Sequence, residues 1–273
     1  MLSELTKRVL FAVPAAALFL TVAWFGDLYF EILIGFIAIL TIWEVDRIQT
    51  KAGNPGFLAL SLLIGLFFWF SSRLPELVML GISAILVITT VWAVIGKNRE
   101  ASRKWLSSFF TGIYVPVGFI MLVYIRNLGE GTGGFWLILS FFLMIWGNDV
   151  FAYFGGKNFG KHPLAPQISP KKTWEGFWFG FLGAAIGFSI SFLIAGTGTF
   201  PLPYWTVFVA VIIVSTAGPL GDITASSLKR KAGVKDSSAL LPGHGGFFDR
   251  FDSMILSAPF IFFYYYLLTQ FLA

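Results

Sequence analysis

The stretch from residue 204 to residue 252 reads YWTVFVAVIIVSTAGPLGDITASSLKRKAGVKDSSALLPGHGGFFDRFD. Its first half, residues 204–228, is mostly apolar and is long enough to cross a bilayer, which takes about 20 residues of helix. Its second half is dense in Lys, Arg, Asp and Gly. Each ionised side chain near hydrocarbon costs roughly 2.5–3.5 kcal/mol on insertion scales. The polar half must therefore lie in water or enclose a charged ligand.

The composition of the whole chain extends this pattern. Of its 273 residues, 57% are hydrophobic, 18% are aromatic and only 12% are charged, and the mean hydropathy is +0.80. These values indicate an integral membrane protein rather than a soluble domain. The absence of cysteine excludes disulfides and thiolate metal sites. The net charge of +5 comes from basic residues between apolar segments, which is a topology signal, so we expect no nucleic-acid partner.

Nine apolar segments are long enough, or nearly so, to form transmembrane helices. They cover residues 8–25, 28–46, 57–71, 76–96, 105–126, 135–154, 176–196, 204–228 and 253–272. The first leads almost directly into the second and is taken as a helix rather than a signal peptide. Nearly all of the 19 Lys and Arg residues fall in alternate loops. By the positive-inside rule, the N-terminus is then cytoplasmic and the C-terminus outside.

We therefore predict an all-α polytopic membrane fold with about nine transmembrane helices. Residues 1–273 are expected to form a single integral membrane domain. Within it, residues 1–130 supply helices without motifs, and residues 131–273 supply the catalytic helices and cytoplasmic loops. The loops after the sixth and eighth segments face the same side by the alternation of charge. They are predicted to form one cytoplasmic site.

Four polar side chains share one face of a helix that continues the eighth segment. Asp222 is followed at i+4, i+7 and i+8 by Ser226, Lys229 and Arg230, so a carboxylate, a hydroxyl and two cations point the same way. Cations in this arrangement are suited to gripping a phosphate.

A second group of polar residues precedes the last apolar segment. Asp249 is followed at i+3 by Asp252, and the GHGG sequence at 243–246 offers backbone N–H groups that can approach an anion closely. Carboxylates for a divalent cation, cations for phosphates and a glycine loop for oxyanions together indicate a polyphosphate and Mg²⁺ site.

The acids also have structural interpretations. Asp222 could end a helix break at Gly218–Pro219, and an Asp before the last span is a normal N-cap. An acid inside an apolar segment favours function, so we take Asp222 as a metal ligand. Of the other two, Asp252 is the better candidate for the cap, and Asp249 is the expected second ligand.

The cations are ambiguous when taken singly. Lys229, Arg230 and Lys235 could be topology charges, and Arg250 could be either a phosphate clamp or an interfacial anchor. The basic sequence SPKKT at 169–173 would attract anionic lipid, at about 1 kcal/mol per cation, or could serve topology alone.

The motif residues are similar, in order and spacing, to the signature of the phosphatidate cytidylyltransferases, also called CDP-diacylglycerol synthases. They are Ser226, Leu228, Lys229-Arg230, Lys235-Asp236, Ser238, Leu241-Pro242, His244-Gly245-Gly246, Phe247, Asp249-Arg250 and Asp252. A second block, residues 149–176, also resembles that family. The resemblance implies an enzyme that transfers CMP from CTP to phosphatidate, giving CDP-diacylglycerol and pyrophosphate in phospholipid biosynthesis, with Mg²⁺ as cofactor.

On this hypothesis each candidate residue has a role. Catalysis is assigned to Lys229, Arg230, His244 and Asp249. Substrate binding is assigned to Ser226, Lys171, Lys172, Lys235, Gly245, Gly246, Arg250 and Asp149. The metal is assigned to Asp222, Asp249 and Asp252. Asp149 could instead pair with a lysine of another helix, and His244 could donate to a phosphate or orient a metal-bound water.

A transporter is the alternative function. Asp149 and Asp222 would then be intramembrane ion or proton sites, and transporters of this kind contain repeats with broken helices. Gly218–Pro219 offers one break, but the first half of the sequence has no counterpart. If the protein is the enzyme, its expected partners are CTP, phosphatidate and the lipid bilayer. A homodimer is compatible with the size of the chain. The short N-terminus without a transit peptide favours a bacterial inner membrane, with the active site on the cytoplasmic side.

Overall fold

Residues 4–272 are described by the computed structural model, with side chains from Val13 onward. Helices dominate this range. In chain order they are α1 (Glu4–Phe25), α2 (Asp27–Lys51), α3 (Leu58–Phe70), α4 (Glu76–Ile95), α5 (Arg99–Arg126), α6 (Gly133–Phe159), α7 (Trp174–Ala195), α8 (Val207–Lys231) and α9 (Phe248–Leu272). Each of the nine predicted apolar segments coincides with one of these helices.

Seven of the helices are long and apolar enough to cross a membrane, which confirms an all-α polytopic membrane fold. α3 has only 13 residues and is too short to cross a hydrocarbon core of about 30 Å by itself. The side chains of Lys7 and Arg8, which enter the orientation argument, lie outside the described residues. The count of nine crossings, the orientation of the termini and the division at residue 130 stay predictions.

α8 runs without interruption through Gly218 and Pro219, so the break considered at this point is wrong. Proline is tolerated in membrane helices because local adjustment and neighbouring helices satisfy the freed carbonyl. A Cβ added at Gly218 would lie 3.3 Å from Ile145 and 3.8 Å from Ser253, so α6 and α9 pack directly against this turn. The continuous helix carries Asp222 and Lys229 on one rigid element.

A small antiparallel hairpin lies between α6 and α7, and the sequence analysis did not predict it. Its strands are β1 (Pro163–Ala165) and β2 (Ser169–Thr173). Glu175, at the start of α7, accepts hydrogen bonds from the backbone N–H groups of Lys161 at 3.0 Å and His162 at 3.2 Å. The hairpin is thereby fixed to α7, which gives the SPKKT sequence a defined position.

α6 and α7 pack closely along glycine faces. A Cβ on Gly147 would collide with the carbonyl of Gly183, and a Cβ on Gly183 would collide with the carbonyl of Gly147. Small residues at such crossings let membrane helices gain van der Waals contact between backbones. The α6–α7 pair therefore holds Asp149, two residues from this crossing, in a fixed position relative to the hairpin.

α5 supplies much of the core, with a buried face from Ser107 to Arg126. Arg126, at its last turn, is only 9% exposed. Its guanidinium donates to the carbonyl oxygens of Ala23 at 2.6 Å and Trp24 at 2.9 Å. A cation at a helix C-terminus satisfies carbonyls that lack partners within the helix and complements the helix dipole. Arg126 thus fastens the end of α1 to α5.

Candidate active site

The two motif blocks meet at Asp222. Lys172 on β2 places Nζ 2.5 Å from Asp222 Oδ2, and Ser226 Oγ donates to Asp222 Oδ1 at 3.2 Å. The lysine and the carboxylate are both partly exposed. The blocks at 149–176 and 226–252 therefore lie at the same end of the helices and in contact, as the charge alternation predicts. Asp222 itself lies inside α8 and does not end it.

Asp249, in the first turn of α9, has protein donors on both carboxylate oxygens. Oδ1 accepts from Lys229 Nζ at 2.5 Å, and the two side chains are 5% and 10% exposed. Oδ2 accepts from the backbone N–H groups of Ser237 at 2.8 Å and Gly246 at 2.9 Å, and Ser237 Oγ lies 2.9 Å away. Charge-assisted bonds of this kind are among the stronger ones in proteins. Asp249 thus fixes the 237–246 loop to α8 and α9.

The bond from the Gly246 N–H to Asp249 is a helix-capping interaction, in which a side chain of the first turn reaches back to a free N–H. Asp252 lies one turn further along α9 and is 8% exposed, and among the described residues it accepts only from the N–H of Ser253, at 2.8 Å. The expectation that Asp252 is the cap is therefore wrong. The physical reason is position, since Asp249 reaches the N–H of Gly246 just before α9, whereas Asp252 lies about one turn into the helix, beyond the N–H groups at its start.

A second buried carboxylate holds the same loop and comes from the first half of the chain. Glu44 of α2 is 0% exposed. Its Oε2 accepts from Phe248 N at 2.7 Å and lies 2.9 Å from Ser237 Oγ. Its Oε1 accepts from Ser238 Oγ at 2.6 Å and Phe247 N at 3.0 Å. Glu44 therefore caps α9 from another helix and holds the loop together with Asp249, since both carboxylates contact Ser237 Oγ.

The sequence analysis missed Glu44. A signal was present, because an acid near the end of an apolar segment is a functional candidate by default. The identity of its partners could not be read from the sequence, since they lie about 200 residues further along.

The glycines of the GHGG sequence allow the two carboxylates to approach the loop backbone. Gly245 has φ of +79°, and a Cβ there would lie 2.6 Å from Asp249 Oδ2. A Cβ on Gly246 would collide with Glu44 Oε1 and Ser237 Oγ. Residues 241–245 form a tight turn, in which the N–H of Leu241 donates to the Gly245 carbonyl at 2.9 Å. His244, at the tip, places Nδ1 3.1 Å from the Pro242 carbonyl oxygen.

Three further carboxylates lie close enough to repel one another, those of Asp149, Asp222 and Asp252. α8 and α9 approach closely here, since a Cβ on Gly221 would lie 2.5 Å from the Asp252 carbonyl oxygen. Lys172 and Arg250 are near enough to Asp149 to offset part of its charge. The result is an acidic group with cations at its edge, next to the loop that Asp249 holds.

Three predicted site residues lie away from this group. Arg230 is exposed and donates to the Val234 carbonyl at 3.2 Å, so it does not share the face of Asp222, Ser226 and Lys229. Lys171 and Lys235 are exposed as well. The neighbours Lys172 and Lys229 face the protein, because adjacent residues on a strand or helix point in different directions.

The fit of Mg²⁺ can be tested on the donor set. Among the side chains of residues 13–272, no three Asp, Glu or His groups are arranged to hold a metal ion by themselves. Mg²⁺ is commonly bound by one or two carboxylates together with substrate phosphates. The neighbouring carboxylates of Asp222 and Asp252 fit that pattern. Asp249 has both oxygens bonded to the protein, so its assignment as a ligand requires the release of Lys229 or the loop and stays a prediction.

A cavity of about 680 Å³ opens beside these groups and has two kinds of wall. One wall is polar and includes Asp149, Arg250 and Asp252. The other is apolar and is formed by side chains of α1, α2 and α6, among them Leu18 and Phe36. A cavity of this kind suits a molecule with a charged head and a hydrocarbon tail.

Comparison with known proteins agrees with this geometry. Residues 6–268 match the sequence profile of the cytidylyltransferase family. The chain belongs to the cytidylyltransferase family. A phosphatidate cytidylyltransferase of Bacillus subtilis is 34% identical over 268 residues, covering 95% of this chain and 97% of the relative. One of Haemophilus influenzae is 33% identical over 291 residues, covering 96% and 97%. One of Aquifex aeolicus is 42% identical over 163 residues, covering 58% of each chain.

The match extends the resemblance from the last half of this cytidylyltransferase to nearly its whole length, including α2 and Glu44. It identifies the protein as a nucleotidyltransferase of the membrane. The transporter alternative is not favoured, because the family is enzymatic and α8 lacks the break that a discontinuous transport helix requires.

Proposed function

We propose that this cytidylyltransferase transfers CMP from CTP to phosphatidate. A phosphatidate oxygen attacks the α-phosphorus of CTP, the bond from that phosphorus to the bridging oxygen breaks, and pyrophosphate leaves with the electron pair. The products are CDP-diacylglycerol and pyrophosphate. The phosphate nucleophile is already ionised at neutral pH, so no general base is needed. The observation that carries the proposal is the cavity with one apolar and one charged wall.

The two walls suit the two parts of phosphatidate. Acyl chains would lie along Leu18 and Phe36, and the headgroup phosphate would lie near Arg250 and Lys172. Arg250 suits this role because a guanidinium binds phosphate oxygens in pairs. The GHGG loop, with Lys229 behind it, would face the triphosphate. Because two anions must meet, cations and oriented N–H groups supply most of the stabilisation.

We extend the proposal to Mg²⁺, with Asp222 and Asp252 as the carboxylates that hold it and Asp249 as a third candidate. A bound Mg²⁺ would neutralise phosphate charge. Lys172 forms an ion pair with Asp222 in the structure. When Mg²⁺ and substrate bind, the Lys172 ammonium would leave Asp222 and contact a substrate phosphate instead. His244 at the loop tip, Ser226 beside Asp222, and the more exposed Lys171, Arg230 and Lys235 remain proposed contacts to the substrates.

The membrane setting is part of the same proposal. The bacterial relatives support an inner membrane. We propose about nine crossings, a cytoplasmic N-terminus and a cytoplasmic active site, for which the alternation of basic loops is the support. A homodimer also stays a prediction, and native mass spectrometry of the protein in detergent would count the copies.

The test is transfer of label from α-³²P-CTP into a chloroform-soluble product by the purified protein with phosphatidate. We expect labelling that requires both phosphatidate and Mg²⁺. Mg²⁺ titrations of Asp222→Asn, Asp252→Asn and Asp249→Asn then separate two roles. A lost metal ligand raises the Mg²⁺ concentration needed for half-maximal rate, whereas a lost loop contact lowers the rate at every Mg²⁺ concentration. Folded wild-type protein that labels no lipid with both substrates present would refute the proposed function.

A further inference from the structure

A second cavity lies between α2 and α3 and is lined mainly by apolar side chains. Its volume is about 390 Å³, which is within the range of ligand sites. On α2 its lining includes Ile32, Phe36 and Ile39, which are all exposed, and Phe36 also lines the larger cavity. Because α2 is apolar and long enough to cross a membrane, its exposed side chains face hydrocarbon. The cavity is therefore a groove that opens to the bilayer.

An ion pair lies at one end of the groove. Arg73, in the turn that follows α3, donates from both terminal nitrogens to the two carboxylate oxygens of Glu31, at 2.7 Å each. Among the described residues that line the groove, these two are the charged ones. The Arg73 side chain is 54% exposed, and that of Glu31 is 17% exposed. A guanidinium has five N–H groups, so Arg73 can hold Glu31 and still donate to a ligand.

The length of the groove corresponds to one leaflet of a bilayer. On α2 the groove extends from Glu31 to Ile42, which is about 16 Å along the helix axis. Half of a hydrocarbon core of about 30 Å is about 15 Å. Glu31 lies about one turn from the start of α2, whereas Ile42 lies well inside the helix. The groove thus has the length of one acyl chain, with the ion pair at the depth of the headgroups.

Close packing fixes the walls of the groove. A Cβ on Gly35 would lie 3.2 Å from the ring of Trp69, so α2 packs directly on this indole. A Cβ on Gly65 would lie 3.0 Å from Pro116 and 3.1 Å from Ile42, so α3 packs directly on α5 and α2. The groove is therefore formed before a ligand binds. Trp69 also lines it and provides a fluorescent reporter close to the ion pair.

We propose that this groove binds one zwitterionic phospholipid of the bilayer. An acyl chain would lie between α2 and α3, the phosphate would contact Arg73, and the headgroup ammonium would face Glu31. A guanidinium suits a phosphate because it binds the oxygens in pairs. The ion pair has no net charge, and a zwitterionic headgroup keeps the site neutral. An acidic lipid would instead add a net negative charge beside hydrocarbon, where charge is costly.

The site would stabilise the packing of α3 on α2 and is separate from the catalytic loop. Glu31 lies 13 positions before Glu44 on α2, which is about 20 Å along the helix. In the described structure the Glu31 carboxylate pairs with Arg73, whereas the loop is held by Glu44. This inference therefore does not depend on the proposed reaction.

The experiment measures tryptophan fluorescence of the full-length, delipidated protein in detergent micelles. Phosphatidylethanolamine with brominated acyl chains, which quenches indoles that it contacts, is added at increasing mole fraction. The chain has ten Trp residues, so the Trp69 signal is the difference between wild type and Trp69→Phe. We expect saturable quenching of that signal. Arg73→Gln should raise the half-saturating mole fraction roughly tenfold, which corresponds to the loss of one hydrogen bond to a charged group.

Arg99→Gln is the matched control, because Arg99 is an exposed guanidinium at the start of α5 and does not line the groove. It should leave the quenching curve unchanged. Among unlabelled competitors, phosphatidylethanolamine should displace the brominated lipid at the lowest mole fraction. Phosphatidylglycerol, which is acidic, and diacylglycerol, which lacks the phosphate, should each require roughly tenfold more, since each loses a charge-assisted contact or adds an unbalanced charge.

Four outcomes would overturn the proposal. Equal displacement by all three lipids, or the same curve for wild type and Arg73→Gln, would indicate boundary lipid without a headgroup site. Stronger displacement by phosphatidate than by phosphatidylethanolamine would make the groove a substrate site. No quenching of Trp69 at any mole fraction would indicate another occupant, such as a second copy of the chain. If Arg73→Gln does not fold, Ile39→Phe decides, because the larger ring fills the middle of the groove and should also weaken quenching.

Discussion

Replacement of Glu44 by Gln tests whether the catalytic loop depends on the first half of the chain. The substitution keeps the shape of the side chain but exchanges one acceptor oxygen for an NH₂ group. Both oxygens of Glu44 accept from a backbone N–H, at Phe247 and at Phe248. In either orientation of the amide, one of these N–H groups must face another donor. Ser237 and Ser238 can rotate their hydroxyls, but a backbone N–H cannot turn away.

The magnitude follows from the lost contacts. A buried donor left without an acceptor costs about 1–3 kcal/mol, and hydrogen bonds to a charged group contribute about 1.5–3 kcal/mol. We expect the substitution to reduce the free energy that holds the loop in its native position by about 2–3 kcal/mol. If the transition state requires the native loop, kcat/KM falls roughly 30- to 150-fold.

The assay is CMP transfer to phosphatidate at several concentrations of each substrate, alongside thermal unfolding. Glu31→Gln is the matched control. Glu31 lies on the same helix, but its carboxylate pairs with the Arg73 guanidinium at 2.7 Å and does not contact the loop in the described structure. It should change kcat/KM less than twofold. Glu44→Asp tests whether the carboxylate must extend as far as the backbone of the loop, because this substitution keeps the charge but shortens the side chain. Folded Glu44→Gln protein with wild-type kcat/KM would refute the positioning role.

Three further perturbations follow from the structure. Gly246→Ala should lower CMP transfer more than 100-fold in folded protein, because the new methyl collides with the buried α2 carboxylate; activity within threefold of wild type would contradict this. Lys172→Met should lower kcat/KM roughly tenfold by removing a cation that is proposed to bind a substrate phosphate, whereas Lys157→Met, an exposed control, should have no effect. Arg126→Met should destabilise the protein by about 3 kcal/mol through the loss of two bonds to carbonyls, seen as a lower melting temperature with unchanged activity per folded molecule.

The sequence predicted the helices well, because hydrocarbon requires long apolar segments whose backbone groups are satisfied internally. It did not predict the β1–β2 hairpin, since strands of three and five residues carry no clear alternation. The motifs correctly placed Lys172 and Asp222 in one region. They could not establish that Arg230 turns to solvent while Lys229 turns inward, because tertiary packing decides between neighbouring positions of a helix.

The roles of the acids show the same limit. Charge and spacing indicated Asp249 and Asp252 as a pair, but hydrogen bonding separates them, with Asp249 holding the loop and Asp252 left beside Asp222. Glu44 lies in an apolar segment that the motif argument did not use. Its importance depends on partners from the 237–248 region, and no local pattern encodes such contacts.

The apolar wall of the cavity sets the conditions under which the proposed reaction would be measured. Leu18 and Phe36 are exposed in the described structure as well as lining the cavity, so this wall continues onto the outer surface of the helices. A lipid bound there would exchange with its neighbours in the bilayer by lateral diffusion. Its effective concentration is a mole fraction of the surrounding lipid, so dilution with inert lipid or detergent should slow turnover even when the bulk amount of phosphatidate is constant.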